Sequence, residues 1–479
     1  MSMAERAPRA PGGPGPLPEP ASFRDPSGFV FRRDGLVYRQ VNDSYREDYE
    51  LLQSSGLQAE LVQAGQLIPH DEVELALAAA PGAYKVLRPR QLPFISYPYE
   101  WSFSQLQDAA LLTLDVQDKA LARGLSLKDA SAYNVQLVDG RPMLIDTLSF
   151  EKYEEGRPWV AYRQFCQHFL APLALMSHTD VRLGQLLRLY IDGVPLDLAS
   201  RLLPGRTRFS FALGMHVHAH ARSQLKYADK PGEATRATTS HHFSPHAFRA
   251  LVASLRNAIL KQRWTTPHTE WADYYEANNN YGAKGLDEKG KALEQLLEQV
   301  RPGTVWDLGA NTGVFSRVAS KTGARVVAWD IDPNAVEFNY RRVRDDKDAS
   351  VLPMLLDLTN PSPGLGWANA ERGSLAERGP VDVVMALGLI HHLAISNNVP
   401  LERVAGFLAT VGHHLLIEFV PKEDSQVVKL LSTRKDVFPT YHRAGFEAAF
   451  APHFATLRAI DIPGTRRTLF LMKRLPQER

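Results

Sequence analysis

The sequence predicts an α/β fold in two parts, and three observations carry that reading. After Val300, short apolar runs alternate with helical segments: TVWDLG, ARVVAWDI, SVLPMLLDL, VDVVMALGL and HHLLIEFV, then ATLRAIDI and TLFLMKRL. Near-continuous apolar strands between helices make a parallel sheet covered on both faces. A polar stretch, ADKPGEATRATTS, has proline and glycine but no apolar period, and marks a linker over residues 228–243. Before it, two Asp-Gly turns flanked by apolar runs predict hairpins, so residues 29–227 read as a separate α+β domain. Residues 244–479 then form the α/β domain, and a chain of 479 residues suits that division.

Taken in order, the first twenty residues contain PGGPGPLPEP, which buries little, so residues 1–28 are expected to be a disordered tail. FVFRRDGLVYRQV reads as two strands around Asp34-Gly35. Residues 48–57 and 59–64 have helical spacing. SFSQLQDAALLTLDVQDKALARG is a helix stopped by Gly124. YNVQLV and RPMLIDTLSF flank Asp139-Gly140 as a second hairpin, and residues 244–300 read as helices ending in GLDEKGKALEQLLEQV.

Composition narrows the function. Lys+Arg 55 against Asp+Glu 53 gives +2, which argues against a dedicated nucleic-acid coat protein. The single cysteine, Cys166, excludes an internal disulfide and a cysteine-based zinc site, and suits a reducing compartment. No apolar run reaches the roughly 18–20 residues that span a bilayer. A cytoplasmic location without membrane partners is expected, and no metal is assigned.

DLGANTG (Asp307 to Gly313) joins a strand to a helix, where a ligand can approach the backbone at the helix N-terminus. A dinucleotide site would need G-x-G-x-x-G. Here Asp307 precedes Gly309, Asn311 and Gly313, and an acid there suits a cationic ligand better than a pyrophosphate. RVVAWD ends in Asp330, placed to accept hydrogen bonds from a ribose diol, and Asp357 closes the third strand within reach of a purine amine. His391 and His392 follow the fourth strand, Glu418 ends the fifth, and Asn397 and Asn398 sit in a loop over the same edge.

DLGANTG, WDIDP, LLDL and MALGLIHHL resemble motifs I to IV of class I S-adenosylmethionine-dependent methyltransferases over roughly residues 260–479. The resemblance implies a Rossmann-like seven-stranded sheet closed by a reversed hairpin, ATLRAIDIP and RRTLFLMKR. It implies S-adenosylmethionine as cofactor. Asp307, Gly309, Asn311 and Gly313 would line its methionine part, Asp330 would hold the ribose hydroxyls, and Asp357 with Leu358 would flank the adenine. A tyrosine-bearing segment before the first strand often covers the pocket in that family, which points to Tyr281, Tyr275 and Lys289. His391, His392 and Glu418 are the catalytic candidates. Packing and helix capping are the competing explanation for the two histidines.

In the first half, Asp129, Asn134 and Asp146 in LKDASAYNVQLVDGRPMLID resemble the catalytic loop of protein-kinase-like phosphotransferases. That resemblance implies a proton-accepting Asp129, and metal held by Asn134 and Asp146. Leu127-Lys128 replace the usual His-Arg or His-Gly, and no G-x-G-x-x-G loop precedes; Lys85 could stand for the nucleotide lysine, though a lysine beside a strand is common. The alternative is a plain turn at Asp129 and Asn134 with a strand-end cap at Asp146. His216, His218 and His220 alternate and would share a face on a strand. Arginines at 201–208 and 341–344 could meet phosphates, though charge runs usually face solvent.

The whole arrangement resembles bacterial NoeA-like methyltransferases. It implies methyl transfer to an unidentified acceptor, a carbohydrate or small-molecule hydroxyl ahead of protein or RNA. The alternatives are a kinase-like phosphotransferase in the N-terminal half and a non-catalytic scaffold that binds S-adenosylmethionine.

Overall fold

The computed structural model describes residues 17–220, 244–265, 282–432 and 435–476. The N-terminal half opens with β1 (Leu17–Pro18), β2 (Gly28–Arg33), β3 (Leu36–Asn42), β4 (His70–Val73) and β5 (Ala83–Pro89), an antiparallel sheet in the order β1-β2-β3-β5-β4. The β2–β3 turn is Asp34-Gly35, with φ of 52° and 79°; a turn with both central residues at positive φ twists as the strands do. Residues 17–28, expected to belong to the tail, are ordered instead. Leu17 and Pro18 pair with Arg32 and Phe31, and an edge strand tolerates a proline because its outer donor is not needed.

Helices Arg46–Ser54 and Leu57–Gln63 follow β3, and the long helix Phe103–Ala122 leaves the sheet. Ser102 and Gln105 cap that helix reciprocally, with the Ser102 amide donating to Gln105 Oε1 at 2.7 Å. β6 (Leu125–Leu127) pairs with β9 (Phe150–Lys152), and β7 (Val135–Val138) with β8 (Arg141–Leu144) across Asp139-Gly140. His216 and His218, which would share a face on a strand, lie instead on a helical turn. There His216 bonds Tyr162 Oη at 2.8 Å and Ser254 Oγ at 2.9 Å, and His218 bonds Ser200 and Thr207.

The C-terminal sheet has seven strands: β10 (Thr304–Leu308), β11 (Arg325–Asp330), β12 (Val351–Leu355), β13 (Val381–Ala386), β14 (Gly412–Phe419), β15 (Phe454–Asp461) and β16 (Thr468–Arg474). Their order is β12-β11-β10-β13-β14-β16-β15; β10 to β14 are parallel, and β16 lies antiparallel to both neighbours. This is the seven-stranded order, with a reversed closing hairpin, that the methyltransferase resemblance implies. The order reverses between β10 and β13, so a crevice opens at the C-terminal ends of those strands.

The two halves share one apolar core, from Leu52 through Trp306 to Met472. Polar contacts fix the join. Glu337, fully buried, accepts the Ser104 amide at 3.0 Å and the Arg341 guanidinium at 2.8 Å. Gln105 Nε2 donates to Pro353 O at 2.8 Å. Arg378 grips Glu100, with one N–H at 2.9 Å from Oε2. Among the described residues no helix is long and apolar enough to cross a membrane. The linker at 228–243 and the tail before residue 17 lie outside the described residues.

Candidate active site

Asp307 sits near the end of β10, and the chain turns through Gly309 (φ 77°), Asn311 (φ 51°) and Gly313 (φ 78°) into helix Val314–Lys321. Asparagine tolerates the left-handed region better than most side chains, which explains Asn311 where a glycine is common. Gly313 has no room for a side chain: a Cβ would lie 2.5 Å from Asn339 Nδ2. Buried Asp307 accepts the Ser316 hydroxyl at 2.6 Å, and burial pushes its carboxyl up to about 6 despite that bond and nearby Lys289.

One strand over, Asp330 ends β11. Its Oδ2 accepts the Asn311 amide at 2.7 Å and its Oδ1 the Asp332 amide at 2.9 Å. The carboxylate therefore pins the glycine turn against the next strand. Burial raises its pKa to about 6 as well. Asp332 caps helix Pro333–Asp346 by accepting the Asn334 amide. Past β12, Asp357 accepts the Thr359 amide and hydroxyl at 2.8 and 2.6 Å, and Leu358 packs against the core. The structure thus brings Asp307, Asp330 and Asp357 to the same edge of three adjacent strands.

The opposite wall carries the expected catalytic candidates. His391 is 3% exposed, and its Nδ1 has no hydrogen-bond partner. Burial, then His392, Arg467 and Lys289, hold its pKa well below the ordinary value, so the ring is neutral. The His392 ring lies 4.2 Å from it. Glu418 is fully buried and accepts Lys289 Nζ at 2.8 Å, while Arg467 stands 3.8 Å from its other oxygen. Arg467 also grips Asp424 with two N–H groups, at 2.7 and 3.1 Å. Glu418 is thus held between Lys289 and Arg467, both buried. Asn397 Nδ2 donates back to His392 O, and Asn398 takes φ 55°; both shape the turn. Tyr275 and Tyr281 lie outside the described residues.

In the N-terminal half, Asp129, Asn134 and Asp146 come together as their spacing suggests, but local bonds use them. Asp129 accepts the Ser131 amide at 2.9 Å. Asn134 donates to Ser149 Oγ, which donates to Asp146 Oδ2 at 2.7 Å. Lys85, the candidate nucleotide lysine, pairs with Glu72 at 2.6 Å. Arg39 of β3 forms the ion pair with Asp146, and with two acceptor bonds it keeps that carboxyl below its usual range. Arg39 and Arg467 are the residues that motif reading missed. Neither belongs to a local pattern, and each finds its carboxylate only through the fold.

The arginine stretches are partly neutralised. Arg341 pairs with Glu337, Arg342 with Asp346 and Arg344 with Asp108.

Comparison with known proteins gives the following. No family model matches the chain. Among solved structures, magnesium protoporphyrin IX methyltransferase (ChlM) from Synechocystis PCC 6803 is 20% identical; the match covers 40% of this chain and 84% of that one, with a TM-score of 0.30. The bifunctional kinase-methyltransferase WbdD is 15% identical over 44% of this chain and 45% of its own, with a TM-score of 0.30. The N-methyltransferase NodS from Bradyrhizobium japonicum WM9 is 11% identical over 41% of this chain and 99% of its own, with a TM-score of 0.29. Nodulation protein NoeA of Rhizobium meliloti (strain 1021) is 36% identical over 457 residues, which is 95% of either chain. A match of that extent runs through both halves, and the chain belongs to the NoeA family.

Proposed function

We propose that the chain is an S-adenosylmethionine-dependent methyltransferase acting on a hydroxyl of a carbohydrate or other small molecule. The observation that carries this reading is the row of Asp307, Asp330 and Asp357 on three adjacent strand ends beside a left-handed glycine turn. The donor set suits the group. Asp307, Gly309, Asn311 and Gly313 would line its cationic methionine part, Asp330 the ribose diol, and Asp357 with Leu358 the adenine. Bound S-adenosylmethionine supplies a methyl group already activated by a sulfonium. The chain's own task is then to orient an acceptor and hold its proton. His391, neutral and without an Nδ1 partner, is the group to take that proton; Glu418 keeps the neighbouring charges fixed.

Two results are expected. Methyl-donor affinity falls as pH drops through about 6, because Asp307 and Asp330 then gain protons and lose acceptor capacity. For one such group the loss approaches about tenfold per pH unit below 6; calorimetry from pH 5 to 8 reads it. His391→Asn lowers kcat about 10²–10⁴-fold with little change in donor affinity, as loss of a general base does.

Incubation with S-adenosylmethionine labelled in its methyl group and with fractionated cell metabolites tests the reaction. Label in a base-stable, hydroxyl-derived product supports it. Tight donor binding without turnover on any fraction would favour a non-catalytic scaffold.

A further inference from the structure

The cavity in the N-terminal half takes no part in the proposed methyl transfer. It encloses about 940 Å³, ample for a metabolite-sized ligand. Strands β2 and β3 form its roof, and the Asp129–Asn134 turn and Asp146 its floor. Its far wall comes from the other half: Ala370 to Gly373, Glu377 and Arg378. That wall is rigid. Arg378 lies over Phe94 and Tyr97, and Phe94 packs edge-on against Trp306 and Trp329 in the shared core.

Most charges lining the cavity are already paired. Arg24 holds Glu371, Arg39 holds Asp146, Arg90 holds Asp139 and Arg378 holds Glu100. Four lining residues form no ion pair among the described residues: Asp129, Asp192, Glu377, whose carboxylate takes the Ser374 amide and hydroxyl, and Arg372. Asp129 has no ion pair among the described residues, and burial together with Asp146 keeps its carboxyl above the usual range. Arg372 likewise forms no ion pair with a carboxylate there; it lies 4.2 Å over the Tyr133 ring, hydrogen-bonds the Tyr133 side chain and donates one N–H to the Glu371 carbonyl. A third observation is independent of charge. His168 lines the cavity at 2% exposure with an unpartnered Nδ1, and burial pushes its pKa down to about 3, so it is a neutral hydrogen-bonding group.

We propose that this cavity is a second ligand site, holding an anionic, hydroxyl-bearing small molecule without a metal ion. Arg372 receives the anionic group, and Asp129 accepts from a ligand hydroxyl. His168 and Tyr133 border the space between. A metal ion is not needed, because Arg39 already supplies the positive charge facing Asp146, and Asn134 bonds both Ser149 and Asp129. A sugar phosphate, a sugar acid and a nucleoside monophosphate share the required chemistry.

The test is calorimetric titration of the full chain in EDTA with glucose 6-phosphate, glucuronate and adenosine monophosphate, each compared with glucose and inorganic phosphate. At least one anionic, hydroxylated probe is expected to bind at a single site. Glucose and phosphate should be about tenfold weaker or worse, since each offers only half of the contacts. Which probe binds tells sugar from nucleotide. Arg372→Gln and Asp129→Asn should each weaken that probe about tenfold or more while S-adenosylmethionine binding stays unchanged. Arg372 is partly exposed, so its replacement tests the site even if the Asp129 variant folds poorly. No saturation by any of the three up to about 10 mM would overturn the proposal. So would binding that requires magnesium, or binding indifferent to both substitutions.

Discussion

Asp330→Ala is expected to weaken S-adenosylmethionine binding about a hundredfold or more. The carboxylate would lose its hydrogen bonds to the ribose diol, and bonds to a charged acceptor contribute about 1.5–3 kcal/mol each. The substitution also removes the acceptor for the Asn311 and Asp332 amides, which hold the glycine turn in its left-handed path. Asp330→Asn separates the two effects. Its one carbonyl oxygen can keep an amide bond while the negative charge is gone, so an intermediate loss is expected. The apo protein gives the control. Burial holds the Asp330 pKa near 6, above its unfolded value, so the ionised form is disfavoured in the fold. Stability tied to this group is present below pH 4 and declines as pH rises through 6. Neutral Asp330→Asn escapes that penalty, and its unfolding midpoint should hold or rise at pH 8 while donor affinity falls.

Glu100→Ala is the second large effect, an expected loss of about 3–5 kcal/mol of stability. Arg378 is nearly buried, with a side-chain exposure of 8%, and Glu100 is its only carboxylate partner among the described residues. Removing Glu100 leaves that guanidinium in the core beside Phe94, Tyr97 and Trp329 with its charge uncompensated. It also strands the Ser362 hydroxyl and the Tyr97 amide, both of which donate to Glu100. Glu100→Gln keeps hydrogen-bonding capacity and should cost less. Because the apolar core is continuous across the join, both halves should unfold together in denaturant, in one transition shifted by the substitution.

Local chemistry explains what could be read from sequence. Asp34-Gly35 and Asp139-Gly140 announce hairpins because the turn demands positive φ at two adjacent residues, and those two residues meet the demand by themselves. Asp307, Asp330 and Asp357 are legible because each ends an apolar strand, and parallel strands put their ends on one edge. What could not be read depends on distant partners. Arg39 and Asp146 are 107 positions apart, and Glu100 and Arg378 are 278 apart. A lysine beside a strand is common and says little by itself, so Lys85 is no guide; only the sheet order reveals that Arg39, on β3, faces Asp146. The alternating histidines do not settle their own conformation. Period two in six residues is also compatible with a helical turn, and Tyr162, Ser200, Thr207 and Ser254 decide the matter by bonding them there.

The most direct test of the account is calorimetric titration of S-adenosylmethionine into the wild-type chain and into Asp330→Asn at pH 7.5. The account predicts one site per chain in the wild type, with affinity clearly reduced in the variant while its unfolding midpoint is unchanged or higher. No binding to a folded wild-type chain, or equal binding to both proteins, would contradict it.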